Sequence, residues 1–289
     1  MPRDRCQLQN LPPVSEFDFS KAPPPVLKGC DPPTGDTVRY ACLLLCAVFA
    51  FAVDPAPLAI YPIWNVPNLV VVGDFDEDGN LDRAELNAAN TLTIMLGSAP
   101  IGGVPGTGLV EQSFRFKESY QTGMAPRSIR AVDLNGDGKL DLVVANHGDN
   151  NINVFLSKGK GTFKAAATYA AGTGPTCVAV ADLDGDGKLD VIVSNDLSAD
   201  LSIFRGKGDG TLERAESIKT MPGTDSIAVA DFNNDGKADL AVTSTARPST
   251  EVISVLFGRG DGTFATAINF RGIGGPRGIL IGERVPGNP

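Results

Sequence analysis

Histidine is nearly missing from this chain: its 289 residues include one, His147. Histidine-based general-base chemistry or a histidine metal cluster therefore has little to draw on. No G-x-S-x-G stretch, cysteine–histidine pair or phosphate-cradling glycine loop compensates. His147, beside Gly148 in a loop-like stretch, is expected to be a surface residue. Cysteine is scarce as well. Of Cys6, Cys30, Cys42, Cys46 and Cys177, only the last lies beyond residue 46, so no disulfide can staple that long region internally. Cys177 reads as a small buried residue on an inner strand. Aromatic residues are few, at 7%, and no helix-length amphipathic segment occurs, which argues against helical and α/β folds. Abundant turn formers, Gly 33 and Pro 21, point instead to a turn-rich all-β fold.

Long apolar runs are missing too. The longest, YACLLLCAVFAFAV, has fourteen uncharged residues between Arg39 and Asp54. A bilayer span needs about 20, so no stable membrane span is expected. The run fits a secretory h-region, preceded by a positive charge and closed by Ala50-Phe51-Ala52 as an A-x-A cleavage site. The expected organisation is a disordered leader at 1–38, the signal h-region and cleavage site at 39–52, a linker or opening strand at 53–67, and repeats over 68–289. Residues 1–38 hold eight prolines and no hydrophobic periodicity. They exceed a normal n-region, so native translation is expected to begin near Val38. A lipid anchor at Cys46 is disfavoured because Leu45 stands where a small residue is wanted.

The formal net charge is −9. Within residues 1–52, Arg3, Arg5, Lys21, Lys28 and Arg39 cancel Asp4, Glu16, Asp18, Asp31 and Asp36. The acidic excess therefore lies in the remainder, which disfavours nucleic acid as a partner and favours cations.

Much of that excess sits in four related stretches. They are DFDEDGNLD (Asp74–Asp82), DLNGDGKLD (Asp133–Asp141), DLDGDGKLD (Asp182–Asp190) and DFNNDGKAD (Asp231–Asp239). Asp or Asn stands at the first, third, fifth and ninth places, and Gly at the sixth. Alternating oxygens around a tight turn converge on one point, as a hard cation such as Ca²⁺ requires, and the residue after the Gly can add its carbonyl. The candidate ligands are Asp74, Asp76, Asp78, Asn80 and Asp82; Asp133, Asn135, Asp137, Lys139 and Asp141; Asp182, Asp184, Asp186, Lys188 and Asp190; and Asp231, Asn233, Asp235, Lys237 and Asp239. Asn80 and the three lysines would contribute backbone carbonyls. Loops one and three carry one carboxylate more than loops two and four, so they are expected to hold the ion more tightly.

The leading aspartates step by 59, 49 and 49 residues, a repeat architecture. The longer first step comes from an insertion of roughly ten residues in a surface loop after NTLTIML. Each unit reads as four strands. The first runs into the loop (NLVVVGD, SIRAVD, CVAVAD, SIAVAD), and the second is densely apolar (LDLVVAN, LDVIVSN, ADLAVTS). A third alternates, and a fourth, more polar, follows a Gly-rich turn. Four antiparallel strands per period near 50 match a propeller blade.

VAVADLDGDGKLDVIVSND followed by FRGKGDGTL resembles the FG-GAP repeat, also called the VCBS repeat, and is similar to the calcium-loop blades of the integrin alpha-subunit propeller. The resemblance runs from about Asn68 to Ile281. It implies an all-β, β-propeller-type repeat array with Ca²⁺ in loops at the blade edges, and it leaves activity open, since the family mixes adhesion, ligand-binding and enzyme-associated modules.

Two departures qualify this. In repeat one the second strand is replaced by LDRAELNAA, charged and helix-favouring, and Asp74–Glu85 matches an EF-hand loop with Glu85 at its twelfth place. The strand-like NLVVVG ahead of it favours a variant blade, with Glu85 as an added ligand. At the other end GPRGILI (275–281) starts a fifth unit, with Leu280 where Asp is expected. Four full blades plus the start of a fifth suggest part of a larger propeller; the alternative is a smaller ring closed by terminal strands. Arg130 takes the place of Ala179 and Ala228, facing either a central channel or an irregular edge.

The expected function is a secreted calcium-binding propeller serving as a binding or adhesion module for glycan or protein ligands. Alternatives are an extracellular lyase-like enzyme acting on polysaccharides and a structural segment of a larger surface protein.

Overall fold

The structure, a computed structural model, describes residues 69–99, 102–104, 109–245 and 252–271. The leader, the apolar stretch with its cleavage site, the linker and the incipient fifth unit lie outside the described residues. Within them the chain is all-β, without helix.

Repeat one contains β1 (Leu69–Gly73), β2 (Asp82–Leu86), β3 (Thr91–Gly97), β4 (Gly102–Val104), β5 (Leu109–Glu111) and β6 (Phe114–Gln121). Repeat two contains β7 (Pro126–Val132), β8 (Asp141–Asn146), β9 (Asn151–Phe155), β10 (Ser157–Gly159), β11 (Thr162–Phe163) and β12 (Ala167–Ala170). Repeat three has β13 (Pro175–Ala181), β14 (Asp190–Asn195), β15 (Asp200–Phe204) and β16 (Glu216–Lys219); repeat four has β17 (Thr224–Ala230), β18 (Asp239–Ser244), β19 (Val252–Leu256) and β20 (Ile268–Arg271). Each repeat forms one antiparallel four-stranded sheet: β1-β2-β3-β6, β7-β8-β9-β12, β13-β14-β15-β16 and β17-β18-β19-β20. First strands of successive repeats pack on one another, β1 on β7, β7 on β13 and β13 on β17. This is a β-propeller-type array.

The core lies between sheets, which explains the residues chosen. In β8, Leu142 and Val144 face repeat one while Val143 and Ala145 face repeat three. In β14, Val191 and Val193 face repeat two and Ile192 faces repeat four. A strand covered on both faces needs an unbroken apolar run, and β8, β14 and β18 are buried throughout. The fourth strands β12, β16 and β20 are largely exposed, so they alternate or turn polar.

Repeat one departs from its reading. LDRAELNAA does not break the sheet; Asp82–Leu86 is a strand, paired with β1 and β3. Period two decides over helix propensity, because Ala84 and Leu86 enter the core shared with repeat two. Arg83 and Glu85 fall on the opposite face, where the Arg83 guanidinium lies 4.4 Å from the Phe114 ring centre. The insertion is not a plain loop either, for β4 and β5 pair within it. Both ends of the insertion are tied by Gly97↔Phe114, and the other repeats keep the same closure at Ser157↔Phe163, Gly206↔Leu212 and Gly258↔Phe264.

Polar pins join the repeats. Tyr120 Oη accepts from Phe163 N at 2.8 Å and donates to Glu118 Oε2 at 2.6 Å; burial first, then Glu118, pushes its pKa up to about 12. Tyr169 Oη accepts from Leu212 N at 3.2 Å in the next seam. Asn90 and Asn150, both left-handed, accept from Ala125 N and Gly174 N at 2.9 Å. The equivalent residues in repeat three are Ile218 and Ala199, which cannot do so. Tyr120→Phe should lower unfolding free energy by about 1–3 kcal/mol, since it strands a part-buried N–H. Urea titration checks this, and an unchanged midpoint would mean the Phe163 amide needs no tyrosine.

Cys177 is buried on β13, as expected, and burial pushes its thiol pKa up, away from reactivity. Arg130 is exposed on β7. His147 is only half-buried and bridges repeats, its Nε2 3.3 Å from Asp196 Oδ1.

Candidate metal centre

Each of the four acidic stretches forms the connection from the first to the second strand of its repeat. The sixth-place glycines hold φ of 86° at Gly79 and 81° at Gly138, Gly187 and Gly236, a conformation costly for other side chains. The fourth place is left-handed too, at Glu77, Gly136, Gly185 and Asn234. Two such residues per loop fold the chain tightly enough to direct alternate side chains inward.

The first-place carboxylates are already engaged. Asp74 accepts from Asp78 N and Gly79 N; Asp133 from Gly136 N, Asp137 N and Gly138 N. Asp182 accepts from Gly185 N and Gly187 N, and Asp231 from Asp235 N and Gly236 N. At the third place Asn135, Asp184 and Asn233 each accept from the backbone two residues on. At the fifth, Asp78, Asp137, Asp186 and Asp235 accept from the N–H of Asn80, Lys139, Lys188 and Lys237. Backbone donation holds Asp78, Asp137 and Asp231 below the usual carboxylate pKa; for Asp186 the Lys188 ammonium does so first. The loop is thus preorganised by the same carboxylates a cation would use.

The ninth place has a role that the sequence did not show. Asp82, Asp141, Asp190 and Asp239 are buried, at 0%, 0%, 1% and 0% exposure. Each bridges the loop to the Gly-rich turn. Asp82 accepts from Phe75 N (2.8 Å), Asp76 N (3.2 Å) and Gly97 N (2.7 Å). Asp141 accepts from Leu134 N (3.0 Å) and Ser157 N (2.7 Å). Asp190 takes Leu183 N (3.2 Å) and Gly206 N (2.9 Å), and Asp239 takes Phe232 N (2.9 Å) and Gly258 N (2.7 Å). Burial pushes the pKa values of Asp82, Asp141 and Asp190 up, against these N–H donors. The signal that could have revealed this bracket was the co-occurrence of the ninth Asp with the turn some fifteen residues on.

Among the described residues, carboxylate oxygens converge within 4.8 Å in two sets: Asp74, Asp76 and Asp78, and Asp182, Asp184 and Asp190. These are the loops with the extra carboxylate. Loops two and four, with Asn135 and Asn233, show no such set. In loop one Asp76 Oδ1 is shut off from water and has no hydrogen-bond partner. Burial first, then Asp82 and Asp78, raises the Asp76 pKa. Glu85 is not part of this set. Its Oε1 lies 2.5 Å from Arg83 Nε, a charge contact without hydrogen-bond alignment.

Profiles of known families match the sequence of these repeats. The FG-GAP-like repeat profile matches residues 133–193 and 182–242, and the FG-GAP repeat profile matches residues 223–262. The chain carries FG-GAP repeats. Repeat one lies outside the matched residues yet has the same strand order and loop closure as the three matched FG-GAP repeats. Among solved structures, the chain is similar to one reporting recognition of non-reducing terminal N-acetylglucosamine by an Agrocybe aegerita lectin. The two share 20% identity and a TM-score of 0.45, over 69% of this chain and 51% of that one. It is also similar to a chain in the crystal structure of BBS1N in complex with ARL6DN (14% identity, TM-score 0.45, 74% and 55% covered). A third is the V. cholerae biofilm matrix protein Bap1 (22% identity, TM-score 0.32, 70% and 38% covered). This chain spans about half the length of the first two. No curated protein is a significant match.

Proposed function

We propose that the chain is a secreted, calcium-stabilised propeller module that binds glycan or protein ligands through loops. One observation carries the calcium assignment: the sealed, partnerless Asp76 Oδ1 among converging carboxylates. A buried charged oxygen without a donor is costly, and a divalent cation is the partner its surroundings fit. Asp74, Asp76 and Asp78 would hold the ion, with the Asn80 carbonyl; bound there, it would neutralise mutual repulsion and fix the loop. Export is supported by the usual extracellular setting of FG-GAP repeats, where calcium is roughly millimolar. Among the described residues no helix is long and apolar enough to cross a membrane.

Equilibrium dialysis of chelator-stripped protein against ⁴⁵Ca²⁺ at 0.01–10 mM tests the metal. Saturable binding is expected, weakened by Asp76→Asn; a linear, unsaturable isotherm would remove calcium from the assignment. Screening the calcium-loaded protein on a glycan array, with and without EGTA, tests the ligand class. Protein ligands remain if no glycan is retained.

A further inference from the structure

Residue 205 directly follows β15, and the corresponding residues of the other repeats are apolar: Leu96, Leu156 and Phe257. The two leucines pack across a seam. A Cβ at Gly161 would come within 2.6 Å of Leu96 Cδ2, and one at Gly210 within 2.5 Å of Leu156 Cδ2. In repeat three the residue is Arg205, and a Cβ at Gly262 would collide with its guanidinium. The glycine of the next turn therefore makes room for a charged group here.

That group turns back into its own loop. Arg205 Nη1 donates to Asp184 Oδ2 at 3.1 Å and lies 3.6 Å from Asp190 Oδ2, with its side chain 16% exposed. Its Nη2 donates across the seam to the Asp261 carbonyl at 3.4 Å. Asp184 and Asp190 are two of the three carboxylates that converge in loop three. A second cation, the Lys188 ammonium, lies 2.7 Å from Asp186 Oδ2. Loop one differs on both counts. Residues 74–82 include five acids and no base, the seventh place is Asn80, and Leu96 stands where Arg205 would.

We propose that Arg205 is a tethered cation for loop three. Its guanidinium stands among the carboxylates that a divalent ion would draw together, so this loop binds calcium more weakly than its four aspartates suggest. It rests on the calcium assignment made above. Two like-charged cations a few ångströms apart repel by kcal/mol-scale energies even at high effective dielectric. Loop one, where Leu96 replaces that guanidinium and the Arg115 charge reaches Asp78 without an ion pair, becomes the tightest site, and the expected parity of loops one and three is revised.

Arg205→Leu installs the residue that repeats one and two already use against the next turn. The readout is the rise in melting temperature of the full chain from EGTA to millimolar Ca²⁺, a difference in which any packing change cancels. Removing the guanidinium should strengthen loop three roughly tenfold, enlarging that rise by about 2–5 °C. Adding Asp184→Asn to R205L should return the rise to the wild-type value. Arg205→Met, which keeps the aliphatic stem without the charge, gives the same comparison should leucine disturb the turn. Equal rises in wild type and both single variants overturn the proposal and leave the calcium assignment standing. No rise in any protein overturns both. A rise only when Arg205 is removed upholds the blocking role of its guanidinium and overturns loop one as the tightest site.

Discussion

Replacing Asp141 with alanine should destabilise the protein by about 2–5 kcal/mol, in calcium and in chelator alike. The carboxylate is fully buried and accepts from Leu134 N at 3.0 Å and Ser157 N at 2.7 Å. Each buried N–H left without an acceptor costs about 1–3 kcal/mol, and relief of a burial-strained carboxylate returns part of the total. Asp137, four residues earlier, is exposed and its backbone bonds are local. Asp137→Ala should therefore leave the EGTA melt nearly unchanged. Urea unfolding of both variants, with 2 mM Ca²⁺ and with EGTA, makes the comparison. If Asp141→Ala is costly only when calcium is present, the residue is a ligand and not a bracket.

Chelation should lower the melting temperature of the wild-type protein by about 10–20 °C. A loop with a Kd of about 10⁻⁴ M in roughly 1 mM Ca²⁺ stabilises the folded state by about 1.4 kcal/mol. Three or four loops sum to about 4–6 kcal/mol, and each kcal/mol is worth about 2–4 °C in a unit of this size. Asp76→Asn carries a sign test. In calcium it should lower the melt by removing a ligand. In EGTA it should raise the melt, because the ionised Asp76 oxygen is sealed, unpartnered and crowded by Asp82 and Asp78. With its folded pKa above 3.8, this penalty is fully present at neutral pH and fades as pH falls through the folded value. The gap between wild type and variant in EGTA should accordingly close on acidification. A wild-type melt indifferent to EGTA at pH 7 would count against calcium in all four loops.

The parts of the fold that depend on periodicity were legible in the sequence. Spacing of the leading aspartates fixed the repeat, and the apolar density of β8, β14 and β18 marked strands covered on both faces. Repeat one misled because Arg83 and Glu85 score as helix formers, while Ala84 and Leu86 meet a core that belongs to repeat two. Partners decided against local preference, and those partners stand some fifty residues away. The metal loops were legible as acids in alternation, but not the division of labour within them. Asp141 and Asp137 look alike in a motif. Only the long-range donor Ser157 N separates a buried bracket from an exposed arm. Arg205 was hidden for a similar reason, since the residues that receive its charge are on another strand connection.

The seams of the array differ in kind, and this bears on how it yields. Between repeats one and two, and again between two and three, a tyrosine hydroxyl and an asparagine amide cross the gap. Between three and four those pins are replaced by Ile218 and Ala199, leaving Thr176 Oγ1 on the Thr224 carbonyl at 2.9 Å, Gly223 N on the Asp196 carbonyl at 3.2 Å and the Arg205 guanidinium on the Asp261 carbonyl at 3.4 Å. The apolar cluster of Ile192, Leu201, Ile203, Leu240 and Val242 carries more of the hold there. Such packing weakens on cooling, whereas the tyrosine and asparagine pins do not depend on it. Chilled, the array should part first at its third seam.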